Sequence, residues 1–265
     1  MTTGSHKKRV LVTGASGQLG KSLRDLEGDF PELEFEFLNR TELDITRKDV
    51  VEESFFKYNP DYCINCAAFT QVDLAEKNPE GAYAVNVKGV QHLVDACKKS
   101  DTTLIHISTD YVFDGLKPGG YTPSDVPNPI NEYGRTKLQG EQEITDVLQR
   151  YFIIRTSWLY SRKYGPNFYL TVRDKARKSE NLNIIDSQRG CPTDATNLSR
   201  HILELITSGS TSYGISHFTD ATPMTWFEFA GWILEQEGLA PYEKLQKAEN
   251  YRTFAVRPTN SILLH

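Results

Sequence analysis

The sequence predicts an α/β protein, a doubly wound parallel sheet followed by a smaller C-terminal lobe. Short apolar runs alternate with longer helical patterns through the first half, a glycine-rich turn joins the first run to the first helix, and the alternation breaks after Trp158. Alternating strands and helices require crossover connections, which lay parallel strands side by side and cover both faces of the sheet. Ligands of such sheets bind at the carboxyl ends of the strands.

The first strand is the run Arg9-Val10-Leu11-Val12-Thr13, which the glycines between Gly14 and Gly20 end before a helix over residues 18–26. Strands follow at 34–38, 62–66, 103–107 and 150–155, with helices at 47–58, 79–99 and 132–148 filling the gaps. Beyond Trp158, a loop rich in Tyr, Gly and Pro leads to a basic helix at 168–178, a short strand at 182–185 and a helix at 196–206. A strand at 213–218 and a helix at 225–237 complete the expectation. The expected division is a dinucleotide-binding (Rossmann) domain over residues 1–157 and a substrate-binding lobe over 158–265, with some late elements returning to the main sheet. No internal repeat or low-complexity tract interrupts it.

At 265 residues the chain can bury a large core. Its formal charge of -5 gives no general attraction to nucleic acid or anionic membrane, so neither is an expected partner, and an anionic substrate must be held by local Arg and Lys. No stretch approaches the length of a membrane span, and Met1 to Lys8 lack the apolar core of a secretory signal, so a cytoplasmic location is expected. Cys63, Cys66, Cys97 and Cys191 are few and scattered, as in a reducing compartment. Cys63 and Cys66 share a predicted strand, where residues three apart face opposite sides, so they read as buried structural thiols. The histidines show no ligand spacing, and no catalytic metal is expected.

Gly14, Gly17 and Gly20 follow a strand and open a helix, the context in which a glycine pattern becomes a nucleotide site. Glycines let a pyrophosphate approach the backbone, and a helix N-terminus attracts its charge. The second strand ends in Asn39-Arg40 with no acidic residue to hold ribose hydroxyls. Arg40 can pair with a 2′-phosphate, which favours NADPH with NADH as the alternative; it can also stack on adenine or face solvent. Tyr133 and Lys137 stand four residues apart, on one face of a helix. An ammonium beside a phenol favours the phenolate and draws its pKa of about 10 toward the range of a general acid. Upstream lie Ser108 and Thr109, of which only one can face the substrate.

The Thr-Gly-x-x-Gly-x-x-Gly loop, the upstream Thr and the Tyr-x-x-x-Lys pair together resemble the extended short-chain dehydrogenase/reductase superfamily. That register selects Thr109, and implies that Tyr133 donates a proton to a ketone, Thr109 hydrogen-bonds the same oxygen, and Lys137 holds the cofactor ribose. It also places Ser16, Gln18 and Leu19 in the cofactor loop, Asp44 and Ile45 at adenine, and Ala67, Ala68, Thr70 and Ile107 near ribose and nicotinamide. Asp44 has an equal reading as a helix N-cap.

Four further segments narrow the resemblance: Ser108 to Gly115, Arg155 to Tyr160, Asp186 to Thr193, and Arg257-Pro258-Thr259-Asn260-Ser261. They are similar to the dTDP-4-dehydrorhamnose reductase family, which implies reduction of the C4 ketone of dTDP-4-dehydro-β-L-rhamnose in making an activated sugar for surface polysaccharide. The resemblance assigns Thr109, Asp110 and Trp158 to the deoxysugar, and Val72, Gln188 and Arg257 to the nucleotide end. Trp158 could equally be a core aromatic, Asp110 a loop cap and Arg257 a surface ion pair. Some relatives dimerise, some with Mg2+ at that contact, so a homodimer is considered while the sequence itself supports no Mg2+ site. The chain stops soon after Arg257 to Ser261, where the family continues through an Asp-containing segment and a final helix, and Phe69 replaces a frequent His. The rival readings are another nucleotide-sugar epimerase or reductase, and a non-catalytic subunit like the β-subunit of methionine adenosyltransferase. The intact Thr, Tyr and Lys favour an enzyme.

Overall fold

The alternation in the sequence becomes a six-stranded parallel sheet in the computed structural model, which describes residues 7–220, 222–248 and 253–265. Strands β1 (Lys8–Thr13), β2 (Leu33–Phe37), β3 (Tyr62–Asn65), β4 (Thr103–Thr109) and β5 (Tyr151–Thr156) lie in the order β5-β4-β3-β1-β2. A further strand, Gly214–His217, pairs in parallel with β5 and forms the far edge. The helices are α1 (Gln18–Asp25), α2 (Lys48–Tyr58), α3 (Val72–Lys77), α4 (Pro79–Tyr83), α5 (Val90–Ser100), α6 (Glu132–Thr145), α7 (Phe168–Arg177), α8 (Ala195–Thr207) and α9 (Trp226–Gln236).

Alternation along β1 separates two cores. Val10 and Val12 pack with Leu19 and Leu23 of α1 and with Leu198 and Ile202 of α8. Leu11 points the other way, toward Val51 of α2, Leu93 of α5 and Ile144 of α6. Each such side chain, fully buried, contributes about 1.5–3 kcal/mol relative to exposure. Cys63 belongs to the second core and Cys66 packs against the first, so their thiols do face opposite sides of the sheet, and all four cysteines are free.

The long helix expected over 79–99 is interrupted. Asn78 caps α4 by accepting from the Gly81 amide, Pro79 begins it, and a π turn over Ala84–Gly89 separates α4 from α5. Such turns insert an extra residue and frequently mark functional positions. β4 runs past its expected end through Thr109, because Ser108 and Thr109 pair with Arg155 and Thr156 of β5.

Beyond Trp158 the elements divide. α8 and the edge strand pack on the main sheet, whereas α7 and α9 enclose a separate core around Tyr160, Tyr169, Phe229 and Ile233. Strands of two residues complete that lobe, Arg189–Gly190 against Met224–Thr225 and Leu159–Tyr160 against Thr193–Asp194. The chain end crosses back to the sheet, where the His217 imidazole Nδ1 lies 2.9 Å from the Leu264 carbonyl. Among the described residues, no helix is long and apolar enough to cross a membrane.

Candidate active site

The carboxyl ends of β1 to β4 open into two adjoining cavities, of about 480 Å³ and about 420 Å³, which share Gly17, Cys66, Ala68 and Thr70. The larger one is shaped by backbone. Gly14 holds φ +61°, and a Cβ there would sit 2.7 Å from the Ala67 nitrogen, so only glycine fits. A Cβ on Gly20 would stand 2.6 Å from the Ala15 Cα, so glycine also lets α1 start this close to the turn. The N-cap of α1 is Gly17, which supplies no side-chain cap, and the first amides of the helix are left for an anion.

Arg40 lines the same cavity with its side chain 79% exposed and its Nε 3.6 Å from an Asp44 carboxylate oxygen. Asp44 accepts from the Thr46 amide at 3.0 Å and hydroxyl at 2.7 Å, while the N-cap of α2 is Arg47. Asp44 therefore closes a turn ahead of the helix and does not cap it. The Asn39 side chain accepts from the Thr41 amide and hydroxyl, and neither cavity includes it.

In the smaller cavity Tyr133 and Lys137 descend from α6. Asn131 caps that helix by accepting from the Gly134 amide at 2.8 Å. Gly134 lies so close to Tyr111 that a Cβ would overlap its carbonyl oxygen, which fixes the height of α6 over the turn after β4. The Tyr133 ring meets Tyr111 edge to face at 5.8 Å. Burial pushes the Tyr133 phenol up from its ordinary value, while the Thr109 hydroxyl works in the opposite direction. Ser108 takes the other face of β4 and donates to Glu141, which also pairs with Arg155 at 2.6 Å. Strand alternation thus leaves Thr109 alone at the phenol.

Lys137 is 2% exposed, donates to the Ile107 carbonyl at 2.8 Å, and lies 3.0 Å from His106 Nε2. Burial lowers its pKa to about 8, against the opposing pull of Glu141. The sequence reading had Lys137 draw the phenol down; in the folded chain burial governs Tyr133, and the hydrogen bonds of Lys137 go to β4.

The opposite wall belongs to the lobe. Trp158 holds a left-handed φ of +46° and stacks on Trp226 with ring centres 3.6 Å apart and planes 8° from parallel. Gly190 leaves room behind it, since a Cβ there would approach the indole to 2.5 Å. Gln188 lies outside both cavities, and its Oε1 accepts from Trp226 Nε1 at 3.1 Å. Asp110 is 2% exposed, and burial raises its carboxyl to about 7. One oxygen accepts from Thr109 at 3.1 Å, the other has no partner within hydrogen-bond geometry among the described residues, and the nearby Ser261 hydroxyl opposes the rise. Arg257 lines the cavity while pairing with Asp73 of α3 at 2.8 Å.

Every residue singled out from the sequence lines one cavity or the other except Asn39 and Gln188. Sequence reasoning missed Trp226 and Asn86. Asn86, in the π turn, accepts from the Phe69 amide at 2.8 Å and donates to the Phe69 carbonyl at 3.1 Å, so it clamps the turn after β3. An Asn inside an apolar helical run was the available signal. Trp226 gave none, because its partner is distant in sequence. Among the described residues no cluster of three or more His, Cys, Asp or Glu could hold a metal.

A profile of the family described as "RmlD substrate binding domain" matches residues 8–265. A dTDP-4-dehydrorhamnose reductase of Aggregatibacter actinomycetemcomitans is 40% identical, over 96% of this chain and 90% of its own length. A dTDP-4-keto-6-deoxy-D-glucose reductase of Streptomyces niveus is 37% identical over 88% of this chain and 80% of its own length. Among solved structures, a dTDP-4-dehydrorhamnose reductase from Bacillus anthracis in complex with NADP superposes with a TM-score of 0.91 at 37% identity, covering 98% of this chain and 91% of that one.

Proposed function

The chain belongs to the RmlD substrate-binding-domain family together with the dTDP-4-dehydrorhamnose reductases, and from that membership and its cleft we propose that it reduces the C4 ketone of dTDP-4-dehydro-β-L-rhamnose to dTDP-β-L-rhamnose with NADPH. The observation that carries the reading is one cavity in which Tyr133 and Thr109 meet the glycine turn on one side and Trp158 on the other.

The residues present fit a dinucleotide. Gly14 and Gly20 leave space that a Cβ would fill, the N-terminal amides of α1 suit the pyrophosphate, and exposed Arg40 suits a 2′-phosphate. When bound there, NADPH would supply the hydride. Tyr133 gives its proton to the carbonyl oxygen as that oxygen gains charge, and Thr109 hydrogen-bonds the same oxygen. A buried phenol with a raised pKa holds its proton until an alkoxide, far more basic, forms beside it. Lys137 would hold the cofactor ribose. Trp158 would offer a flat apolar face to the methyl-bearing ring, Asp110 would accept from sugar hydroxyls, and Arg257, which lines the cavity, would pair with the diphosphate. The Streptomyces niveus relative favours, as a second reading, a ketone reductase for another dTDP-deoxysugar.

The test is loss of NADPH absorbance with enzymatically generated dTDP-4-dehydrorhamnose and chromatographic identification of the product. Formation of dTDP-rhamnose is expected. NADPH binding without reduction of that ketone would overturn the reading, and turnover of a different dTDP-ketosugar alone would select the second.

A further inference from the structure

A buried chain of polar groups runs beneath the site from β1 to α6. The Thr13 hydroxyl donates to Asn65 Oδ1 at 2.7 Å, and the Ala67 amide donates to the same oxygen at 3.1 Å. Asn65 Nδ2 lies 3.1 Å from His106 Nδ1, and His106 Nε2 lies 3.0 Å from Lys137 Nζ. Thr13, Asn65, His106 and Lys137 are all buried.

The donors and acceptors of this chain are not free to choose. A backbone amide can only donate, and although the Ala67 amide also reaches the Thr13 hydroxyl at 3.3 Å, an Asn65 NH2 placed 3.1 Å from it would set two donors together, so Asn65 turns its oxygen toward Ala67 and its NH2 toward His106. His106 Nδ1 therefore accepts. A neutral imidazole carries one proton, which must then lie on Nε2 and point at Lys137. An ammonium there would set two donors against each other, whereas an amine accepts the Nε2 proton and still donates to Ile107. Charging the imidazole is opposed by full burial, which holds its pKa well below the ordinary value.

We propose that Asn65 and His106 are positioning residues that favour the neutral amine of Lys137 over its ammonium and couple its protonation to a rearrangement of the chain. This deepens the reductase reading, on which the role of Lys137 rests. Protonation at Nζ takes one proton from solvent and leaves the ammonium as the only new charge. Within the chain the imidazole proton leaves Nε2 and Nδ1 becomes protonated. Asn65 turns over so that its oxygen accepts from Nδ1, giving up the Ala67 bond. The other groups facing this point are Tyr133 and Glu141 on α6, Arg155 on β5 paired with Glu141, and Asp110 beside the phenol.

The test is an NMR pH titration of the protein labelled with 13C at lysine Cε, with Lys137 assigned by its loss in Lys137→Arg. Asn65→Asp presents a carboxylate that only accepts, and His106→Gln presents a neutral amide oxygen to Nζ; both favour the ammonium. In the wild type Lys137 is expected to titrate well below the surface lysines, and each variant to raise its midpoint by about one unit, tenfold in proton affinity. Because Asn65→Asp also adds charge, the neutral His106→Gln decides whether the chain is responsible; if it does not fold, His106→Asn replaces it. Wild-type Lys137 titrating with the surface lysines, or a midpoint unmoved by the neutral variant, would overturn the proposal. No sugar or cofactor is present in this titration, so a chain that shows the shift but reduces no ketosugar fails the functional reading and not this one.

Discussion

The wall of the cleft that carries Tyr133 and Lys137 is held by backbone and buried hydrogen bonds, whereas the wall that carries Trp158 is held by side chains stacked on one another. In the first, Gly134 stands where a Cβ would meet the Tyr111 carbonyl, and Asn131 fixes the start of α6. In the second, Trp158 rests on Trp226, which Gln188 holds by a single bond. Main-chain atoms cannot step aside, but an indole can tilt. The first wall therefore suits chemistry that needs a fixed proton donor, and the second suits recognition that tolerates variation among sugars. Gln18 ties the two together, donating to the Leu159 carbonyl at 3.0 Å.

If the rigid wall supplies the chemistry, its acid is the most sensitive point. Tyr133→Phe keeps the ring against Tyr111 and removes the proton, so kcat is expected to fall about 10²–10⁴-fold with cofactor binding retained. Steady-state rates and NADPH titration check both halves. An unchanged kcat would dissolve the contrast, because the proton would then come from elsewhere.

The next effect concerns the rigidity itself. Gly134→Ala puts a methyl group into the Tyr111 carbonyl, and α6 has to rise or the turn after β4 has to move. Overpacking of this kind costs about 1–3 kcal/mol, which a thermal melt reads as a Tm lower by on the order of 5 °C. Because Tyr133 rides on the same turn of helix, kcat falls as well. Gly231→Ala provides the control: it too lies inside a helix, α9, and has open space around its Cβ, so it makes the same change without displacing the site.

The rigid wall was legible in the sequence and the stacked wall largely was not. The strands, the glycine turn and the Tyr-x-x-x-Lys face all follow from local periodicity and backbone sterics, which a short window contains. The Trp158 and Trp226 pair, the two-residue strands and the role of Gln188 depend on residues tens of positions apart, and no local pattern announces them. Asn39 shows a different limit: its place after β2 suggested a cofactor contact, and what no local pattern announced is that its side chain is engaged in a turn with Thr41. The break in the helix expected over 79–99 arises likewise from a tertiary demand, the clamp of Asn86 on Phe69.

Asp110 lies between the walls and sharpens the comparison through pH. Its folded pKa of about 7 stands above the ordinary 3.8, so between those values the folded chain binds more protons than the unfolded one. Stability from this group is present in full below the unfolded pKa and is lost as pH rises through the folded one. The loss from pH 5 to pH 7 is on the order of 2 kcal/mol, and Asp110→Asn is expected to abolish it. Melts of both proteins across that range isolate the contribution from other carboxylates. Equal pH slopes would mean that the carboxyl is solvated and that the two walls are separated by water.

The smallest effect tests the tilting of the stacked wall. Gln188→Leu removes the acceptor of the Trp226 indole N–H while leaving Trp158 and the acid in place. A hydrogen bond of this kind is worth about 0.5–1.5 kcal/mol, so KM for the sugar nucleotide is expected to rise roughly 3- to 10-fold. kcat should hardly change, because the stack contacts the ring equally in the ground and transition states. If kcat falls and KM stays constant, the indoles hold the ketone against Tyr133 only at the moment of transfer, and the lobe then belongs to the rigid machinery with α6.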